Sequence, residues 1–230
     1  AGASITSLPL CQGGHFMRHI MTLFVLLFFA GALSADSLPN VIDKVRGSVV
    51  GVGTAYPPRQ PNRKGKPSRM LGTGFIVGNG LQVITNAHVV PVSLDDDNNE
   101  TLAIFSGRGD HVVAHPCRVL RVDEEHDLAL LEFQGAALDA LVLGNSDTVR
   151  EGQEIAFTGF PIGAVLGLYP VTHRGIVSVI TPIARPADTA KTLTATQLKR
   201  MRNPFNAFQL DATAYPGNSG SPVYEPDTGR

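Results

Sequence analysis

Cysteine and charged residues are both scarce in this sequence of 230 residues. It contains two cysteines, and Cys11 lies in an N-terminal segment that we expect to be removed, so Cys117 would have no partner for an intramolecular disulfide. Stability must then come from the hydrophobic core. Charged residues make up 17% of the chain, and the formal net charge is -1. This balance does not suggest a strongly charged partner such as nucleic acid.

Metal-binding patterns are also missing. No spacing among the histidines, Cys117 and the carboxylates resembles a metal site. The acidic stretch from Asp95 to Glu100 lacks the alternating ligands and the glycine of an EF-hand loop, so we interpret it as a polar hairpin tip. His111, His115 and His173 have no partner motif and are interpreted as structural. We therefore predict neither a metal nor another cofactor.

The N-terminus has the pattern of an export signal. Met17-Arg18-His19 provides a basic start, and the run from Ile20 to Leu33 is almost wholly apolar. That run is shorter than the about 20 residues of a membrane span, and small residues suited to signal peptidase follow it. We predict a signal peptide over residues 17–35, preceded by an upstream segment of unclear status over residues 1–16, and a secreted or periplasmic protein. The alternative is an uncleaved membrane anchor or a buried helix.

Turn-forming residues are plentiful and divide the chain into short apolar runs. The 24 glycines and 16 prolines are typical of a protein with many short strands. Only the stretch from Ala190 to Arg202 has the pattern of a short helix, and there are no internal repeats. The predicted strands are Ser48–Thr54, Gly74–Val77, Gln82–Thr85, Thr101–Phe105, Val112–Val122, Leu128–Phe133, Glu154–Gly159, Thr172–Ile180 and Ala207–Ala212.

One serine has a setting suited to chemistry. Ser219 lies in the stretch Gly217-Asn218-Ser219-Gly220, where Gly217 is free to adopt backbone conformations that a side chain disfavours. Gly220 leaves room beside the hydroxyl for a substrate backbone. Such a loop suits a nucleophile whose neighbouring N–H groups stabilise an oxyanion. Taken alone, a G-x-S-G tetrapeptide is usually an ordinary turn, so a base and an acid elsewhere must support it.

A histidine and an aspartate provide that support. His88 follows the apolar run from Leu81 to Ile84, where a strand ends in a short turn, and Asp127 directly precedes a strand-like apolar run. An imidazole can accept the serine proton and return it to the leaving group, while a carboxylate holds the imidazole tautomer. His126 is adjacent to Asp127, and adjacent strand residues point to opposite faces, so His126 is a poor candidate for the paired base.

These three stretches together resemble the trypsin-like (chymotrypsin-fold) serine proteases, and most closely their bacterial high-temperature-requirement, or Deg-like, branch. The residues that carry the resemblance are Thr-Asn-Ala-His88, His-Asp127-Leu-Ala-Leu-Leu and Gly-Asn-Ser219-Gly, in the family's chain order. The stretch from Gly72 to Val77 also matches, and the resemblance runs from about Val49 to Val223. It implies a serine endopeptidase with His88, Asp127 and Ser219 as catalytic residues.

The same resemblance implies roles for the residues around the serine. The backbone N–H groups of Gly217 and Ser219 would form the oxyanion hole, where removal of one donor generally costs about 3 kcal/mol in the transition state. Asn218 occupies the place of an aspartate that pairs with a newly cut N-terminus in digestive members. An uncharged side chain cannot form that ion pair, so we expect no activation of that kind.

The resemblance also places Thr213 and Ala214 in the primary specificity pocket. Neither is acidic, so a preference for cleaving after arginine or lysine is not expected, because an unpaired buried cation is costly. We expect small or medium apolar side chains at that position of the substrate. The opposite wall of the pocket normally comes from a strand after the serine, and the sequence stops at Arg230 before it.

The fold implied is all-β, with two Greek-key antiparallel β-barrels and the second barrel incomplete at the C-terminus. Residues 36–145 would form the first barrel with the histidine and the aspartate, and residues 146–230 the second with the serine. After Ser219 the family needs about two further strands to close the second barrel. Because open sheet edges and exposed apolar side chains favour aggregation, we expect the 230 residues to be part of a longer polypeptide and to be poorly soluble and inactive alone.

Two insertions bear on partners. The stretch from Tyr56 to Arg69 is rich in proline and basic residues, but lacks the aromatic residues of a nucleic-acid patch and is interpreted as a solvated loop. It occupies the place of a regulatory loop of Deg-like proteases, so a contact with another subunit of a homo-oligomer is a modest hypothesis. The stretch from Thr181 to Phe205 falls where that family has its activation-sensing loop.

The predicted function is hydrolysis of unfolded or extended polypeptides through an acyl-enzyme, in protein quality control of an exported compartment. No nucleic acid is expected as partner, and the membrane only through an uncleaved leader. One alternative is a catalytically silent peptide-binding module of the same fold. Another is an esterase, but the α/β-hydrolase pattern G-x-S-x-G and its order of serine, acid and histidine are both absent.

Overall fold

The structure is a computed structural model that describes residues 37–57, 68–161, 168–183 and 204–230. The predicted signal peptide, most of the loop from Tyr56 to Arg69 and the predicted short helix from Ala190 to Arg202 lie outside the described residues. Most of the stretch from Thr181 to Phe205 does as well. The interpretations of these segments therefore stay predictions.

A short helix, α1 (Leu38–Val45), begins the described chain. The sequence carries two of the usual start signals, because Ser37 occupies the N-cap position and a proline lies in the first turn. Val41 and Val45 are the buried residues of its apolar face. Our strand-based interpretation did not anticipate this helix. Among the described residues, no helix is both long enough and apolar enough to cross a membrane.

The rest of the described chain is dominated by antiparallel strands, which confirms the all-β prediction. The strands are β1 (Val49–Ala55), β2 (Arg69–Val77), β3 (Gln82–Asn86), β4 (Thr101–Arg108), β5 (His111–Asp123), β6 (Leu128–Phe133), β7 (Glu154–Gly159), β8 (Val171–Pro182), β9 (Asn206–Asp211) and β10 (Val223–Tyr224).

The first six strands close into a barrel with the order β1-β2-β3-β6-β5-β4. Its interior is filled by buried aliphatic side chains and one phenylalanine. These are Val50, Val52, Ile76, Val83, Val89, Leu102, Ile104, Ala129, Leu131 and Phe133. Successive side chains of a strand point to opposite faces, and this alternation directs these residues into the barrel.

The remaining strands form a four-stranded antiparallel sheet with the order β10-β7-β8-β9. Ile155, Phe157 and Val177 make a small buried cluster on this sheet. Other apolar side chains there, such as Phe208 and Val223, stay 36% and 48% exposed. The described residues thus form an open sheet where a second barrel was predicted, as expected for an incomplete barrel. The boundary near residue 145 stays a prediction.

β1 joins the barrel to the second sheet, because all seven of its residues are buried. Val50 and Val52 point into the barrel, whereas Val49 and Ala55 belong to a cluster with Phe160, Leu168 and Tyr224 from the second sheet and its loops. Gly51 allows the close approach, since a methyl group there would lie 3.2 Å from a Leu168 methyl group. The two parts are therefore packed through a shared apolar interface.

The bounds of the nine predicted strands match within one or two residues, except at the start of β2 and at the end of β4, which runs to Arg108, three residues beyond the predicted Phe105. We predicted a strand from Gly74, but β2 begins at Arg69. The early part of β2 pairs with β1 as far as Thr54↔Arg69, with a register shift between Val52 and Gly53. Turn-type residues at Gly72 and Gly74 concealed this pairing from the sequence. The acidic stretch from Asp95 to Glu100 is a turn that leads into β4 and includes a 3₁₀ segment, Asp96–Asn98.

Cys117 lies in β5, half-buried, and its side chain packs against the barrel core. Burial raises the pKa of the Cys117 thiol to about 12. A thiol with so high a pKa is almost wholly protonated at neutral pH, and only the thiolate reacts readily. The interpretation of Cys117 as a small apolar side chain fits these surroundings.

The barrel core generates a first prediction about stability. Leu131 is fully buried, so Leu131→Ala should lower the free energy of unfolding by about 2–5 kcal/mol through lost contacts and a residual cavity. Leu120 is 38% exposed, and Leu120→Ala should cost less than about 1 kcal/mol. Urea unfolding of protein from the complete reading frame measures both. Equal losses would contradict the burial of Leu131.

The buried thiol generates a second prediction. At pH 8 an ordinary thiol is about one-quarter thiolate, whereas a pKa of about 12 leaves about one part in ten thousand. Alkylation of native Cys117 by iodoacetamide should therefore be about a thousandfold slower than alkylation in concentrated urea. Cys117→Ser identifies the signal of this residue by mass spectrometry. Equal rates in native and denatured protein would show that the thiol is accessible and ordinary.

Candidate active site

The register between β3 and β6 brings His88 and Asp127 together. Asn86, the last residue of β3, pairs with Leu128, the first residue of β6. His88 lies in the 3₁₀ turn Ala87–Val89 just after β3, and Asp127 lies just before β6. The carbonyl oxygen of Asp127 accepts hydrogen bonds from Ala87 N at 3.0 Å and from Asn86 Nδ2 at 2.9 Å. Strand pairing therefore sets the distance between the two side chains.

Both carboxylate oxygens of Asp127 contact His88. Oδ2 is 2.6 Å from His88 Nδ1, and Oδ1 accepts a hydrogen bond from the His88 backbone N–H at 3.0 Å. An ionised carboxylate has no proton to donate, so the ring proton must lie on Nδ1. This tautomer leaves Nε2 free to accept a proton. The side chains of His88 and Asp127 are 57% and 36% exposed, so the pair is open to solvent and to a substrate.

Asp127 has an unusual backbone conformation, with φ at +56°. The turn before it is organised by Asp123, whose Oδ1 accepts hydrogen bonds from the N–H groups of Glu125 and His126, each at 3.1 Å. Asp123 Oδ2 is 2.7 Å from His126 Nδ1. The hydrogen bonds from the His126 side chain and backbone lower the pKa of Asp123. Asp123 thus shapes the turn that ends at Asp127.

His126 therefore belongs to a turn and not to a strand, which corrects our reason for setting it aside as a base. Its ring bonds to Asp123 and packs against Phe205, with the ring centroids 4.4 Å apart. Asp123 and Asn86 were not singled out from the sequence. The signal for Asp123 was an aspartate at the start of a turn, where its oxygen can accept local backbone N–H groups.

Ser219 lies in a tight loop between β9 and β10. Asn218 N donates to Tyr215 O, and Ser221 N donates to Asn218 O, each at 3.0 Å. Gly217 and Gly220 have φ values of +101° and +87°, which favour glycine at both positions. Within the described part of the chain, the N–H groups of Gly217 and Ser219 donate to no other group. These are the two donors predicted for the oxyanion hole.

The serine loop approaches the turn of His88 without closing a hydrogen bond to it. A methyl group placed on Gly72 would lie 2.7 Å from a Val89 methyl group and 3.0 Å from the Ser219 carbonyl oxygen. Val89, which follows His88, and Ser219 thus both lie beside Gly72 on β2. Among the described residues, neither Ser219 Oγ nor His88 Nε2 makes a hydrogen bond.

Asn218 is 8% exposed, and neither its Oδ1 nor its Nδ2 has a hydrogen-bond partner in the described structure. The side chain points to the interior beside Gly159, where an added methyl group would lie 2.8 Å from Asn218 Oδ1. The expectation that this residue forms no ion pair with a cut N-terminus stays a prediction.

A pocket of about 410 Å³ lies beside Ser219. The described residues that line it carry no charged side chain; they are Phe157, Leu210, Ala214, Tyr215, Pro216, Asn218, Ser219, Ser221 and Val223. Ala214 is thus a wall of this pocket. Thr213 is exposed and does not line it, so a role for Thr213 in substrate binding stays a prediction.

Two other described histidines, His115 and His173, have local contacts, and the structural interpretation of His111 stays a prediction. His115 Nε2 is 2.8 Å from Ser106 Oγ, and the His173 ring stacks on Phe157 and also contacts Tyr215. No group of three histidine, cysteine or carboxylate residues in the described ranges is arranged to hold a metal ion.

The family described as trypsin-like peptidase domain matches residues 72–230. A probable periplasmic serine endoprotease, DegP-like, from Ectopseudomonas mendocina is 28% identical over 169 residues, covering 73% of this chain and 29% of that protein. The protein of the same name from Marinomonas sp. is 31% identical over 176 residues, covering 76% of this chain and 30% of that protein.

A similar fold is found among solved structures. The crystal structure of Deg5 has a TM-score of 0.57 at 22% sequence identity, covering 82% of this chain and 78% of that chain. The chain spans about three-tenths of the length of the curated relatives described above. Taken together, the barrel, the open second sheet and the matched residues show that the chain belongs to the trypsin-like peptidase family, in its Deg/HtrA-like group.

Proposed function

We propose that this protein is a serine endopeptidase in which Ser219 is the nucleophile, His88 the general base and Asp127 the orienting acid. The observation that carries the proposal is the double contact of Asp127 with His88, at Nδ1 and at the backbone N–H. This contact leaves His88 Nε2 in the unprotonated form that a general base requires. Membership of a peptidase family supports the same reaction.

In this mechanism Ser219 Oγ attacks the carbonyl carbon of the scissile peptide bond, while His88 Nε2 takes the hydroxyl proton. The carbonyl oxygen becomes an oxyanion and accepts hydrogen bonds from the N–H groups of Gly217 and Ser219. His88 then protonates the leaving amine, which breaks the C–N bond and leaves an acyl-enzyme. Water, deprotonated by His88, attacks the ester and restores the serine. Asp127 stabilises the imidazolium that forms twice in each cycle.

The mechanism requires Ser219 Oγ and His88 Nε2 to come within hydrogen-bond reach when substrate binds. Catalytic hydrogen bonds are often long or poorly aligned in substrate-free enzymes and tighten in the complex. The loop of Ser219 is built of short turns with glycine at two positions.

The substrate proposed is an unfolded or extended polypeptide with a small or medium apolar side chain before the cleaved bond. The uncharged lining of the 410 Å³ pocket beside Ser219 supports an apolar side chain there. The names of the curated relatives describe periplasmic endoproteases, which supports a role in an exported compartment, in protein quality control. Assembly into a homo-oligomer is part of this proposal.

A second candidate function is peptide binding without catalysis. The missing hydrogen bond between Ser219 and His88 favours it, since a silent member of the family needs only the cleft. The two functions differ in one measurable property, the reactivity of the serine hydroxyl.

A third prediction separates these functions. A fluorophosphonate probe should label the wild-type protein from the complete reading frame, because only an activated serine attacks phosphorus at neutral pH. Ser219→Ala should abolish labelling and casein hydrolysis. Ser221→Ala, which removes the other serine hydroxyl of the same loop, should leave labelling in place and serves as the matched control. Equal labelling of wild type and Ser219→Ala would remove the enzyme assignment.

A fourth prediction concerns the turn that carries Asp127. Asp123→Ala removes the acceptor of two backbone N–H groups and of His126 Nδ1, so the carboxylate of Asp127 should lose its fixed position. We expect kcat/KM for peptide hydrolysis to fall about tenfold or more. Asp123→Asn keeps an oxygen for the backbone N–H groups and should retain most of the activity. Wild-type kcat/KM in Asp123→Ala would show that the turn holds its shape without this side chain.

A further inference from the structure

We infer that Thr73 is the positioning residue of the oxyanion hole, because it alone among the described residues hydrogen-bonds to the carbonyl groups of both residues that supply the N–H donors. Its hydroxyl donates to Gly217 O at 2.7 Å, and its backbone N–H donates to Ser219 O at 2.8 Å. The inference rests on the proposed function, since it assigns Gly217 and Ser219 as the donors.

Thr73 is available for this role because of where β3 ends. β2 pairs with β3 only from Phe75↔Ile84 to Val77↔Gln82. Beyond Phe75↔Ile84 the last two residues of β3 pair with β6 but no longer with β2, so β3 does not use the backbone N–H of Thr73. The serine loop takes the free position, and the N–H of Thr73 bonds to Ser219. The loop is thus attached to a barrel strand that also contacts the turn of the general base, through Gly72 and Val89.

The hydroxyl, the carbonyl oxygen and the backbone N–H of Thr73 all make hydrogen bonds. The side chain is fully buried, and Oγ1 accepts a hydrogen bond from Phe160 N at 3.0 Å while it donates to Gly217 O. The carbonyl oxygen of Thr73 accepts a hydrogen bond from Thr85 Oγ1 at 2.6 Å. Among side chains of this size, only a hydroxyl both donates and accepts at one atom. Serine can therefore replace threonine here, whereas valine cannot.

These contacts fix the direction of the two catalytic N–H groups. Thr73 Oγ1 donates to the carbonyl oxygen of the peptide group that joins Gly217 to Asn218. The N–H of the same peptide group donates to Tyr215 O. With that peptide held, the direction of the Gly217 N–H depends only on the two backbone rotations of Gly217 itself, whose φ is +101°. Glycine rotates easily about these bonds, so without the hydroxyl the N–H group would sample other directions. Preorganised donors stabilise an oxyanion far better than donors that must reorient.

Close contacts around Thr73 leave the serine loop little room to adopt another conformation. A methyl group on Gly220 would lie 2.0 Å from Thr73 O and 2.5 Å from Thr85 Oγ1. A methyl group on Gly159 would lie 3.1 Å from Thr73 Oγ1. The glycines let the loop backbone approach Thr73 closely enough for two hydrogen bonds.

A fifth prediction tests this role with protein from the complete reading frame. Thr73→Val keeps the shape of the side chain but loses the hydroxyl. We expect kcat for a peptide p-nitroanilide with valine before the cleaved bond to fall about tenfold or more, with KM changed less than about twofold, since the loss falls on the transition state. Affinity for a peptidyl trifluoromethyl ketone, which forms an oxyanion on the serine, should fall by the same factor. Thr73→Ser should restore both values.

Thr158→Val is the matched control for lost stability. The Thr158 hydroxyl is 1% exposed and bonds to Thr172 Oγ1 and Tyr224 Oη, each at 2.8 Å, away from the serine loop. Thr158→Val should lower the melting temperature about as much as Thr73→Val does, and it should leave kcat near the wild-type value. The pH dependence of kcat/KM should be unchanged in Thr73→Val, because Thr73 does not titrate.

Several outcomes would overturn the inference. These are wild-type kcat in Thr73→Val, an equal loss of kcat in Thr73→Ser, or an equal loss in Thr158→Val. If Thr73→Val and Thr73→Ala both fail to fold while Thr73→Ser folds, the hydroxyl is structural and the inference also fails. A wild-type protein that neither turns over substrate nor reacts with fluorophosphonate would instead refute the proposed function.

Discussion

The burial of β1 on both of its faces is the constraint on which the rest of the structure depends. Val50 and Val52 close the barrel from inside, and Val49 and Ala55 pack against residues of the second sheet and its loops. Full burial of a valine contributes about 1.5–3 kcal/mol, so few substitutions on this strand leave the fold unaffected. The His88–Asp127 pair comes from the barrel, and Ser219 comes from the second sheet. Their relative position is therefore set by the apolar packing along β1 and by the hydrogen bonds of Thr73.

Around the site, hydrogen bonds of backbone groups position the residues as much as those of side chains do. Asp127 contacts both the ring and the main chain of His88, and its own carbonyl accepts two hydrogen bonds from β3 and the turn after it. Asp123 arranges the preceding turn through two N–H groups. Ser219 is also held through its backbone: its side chain makes no hydrogen bond to any described residue, whereas its carbonyl oxygen accepts one from Thr73 of β2. A solvent-exposed ion pair alone would be worth little, but these hydrogen bonds restrict its geometry.

Much of the fold was predictable because alternating apolar residues and glycine-rich turns mark short strands clearly. Eight of the nine predicted strands lie near their observed positions, whereas β2 was predicted too short, since pairing of its first half depends on contacts with β1 that no local pattern reveals. The helix α1 was missed although Ser37 and Pro39 signal a helix start. Its eight residues are stabilised by packing of Val41 and Val45, which the sequence alone does not show.

The candidate site was predictable to a different depth at each residue. His88 and Asp127 were identified by motif, and strand register explains their contact. Thr73 lay inside a motif that was noted but had no assigned role, because the distance from Thr73 to Gly217 along the chain hides the hydrogen bond between them. Asp123 and Asn86 act through hydrogen bonds to backbone groups, and such contacts produce only a weak pattern in the sequence.

The left-handed backbone of Asp127 limits how this position can evolve. A φ of +56° is tolerated by aspartate, asparagine and glycine more readily than by other residues. Glutamate would keep the negative charge but not the conformational preference, and asparagine would keep the conformation but not the charge. Because aspartate alone satisfies both requirements, descendants of this chain that drift at position 127 must lose either the shape of the turn or the charge beside the imidazole.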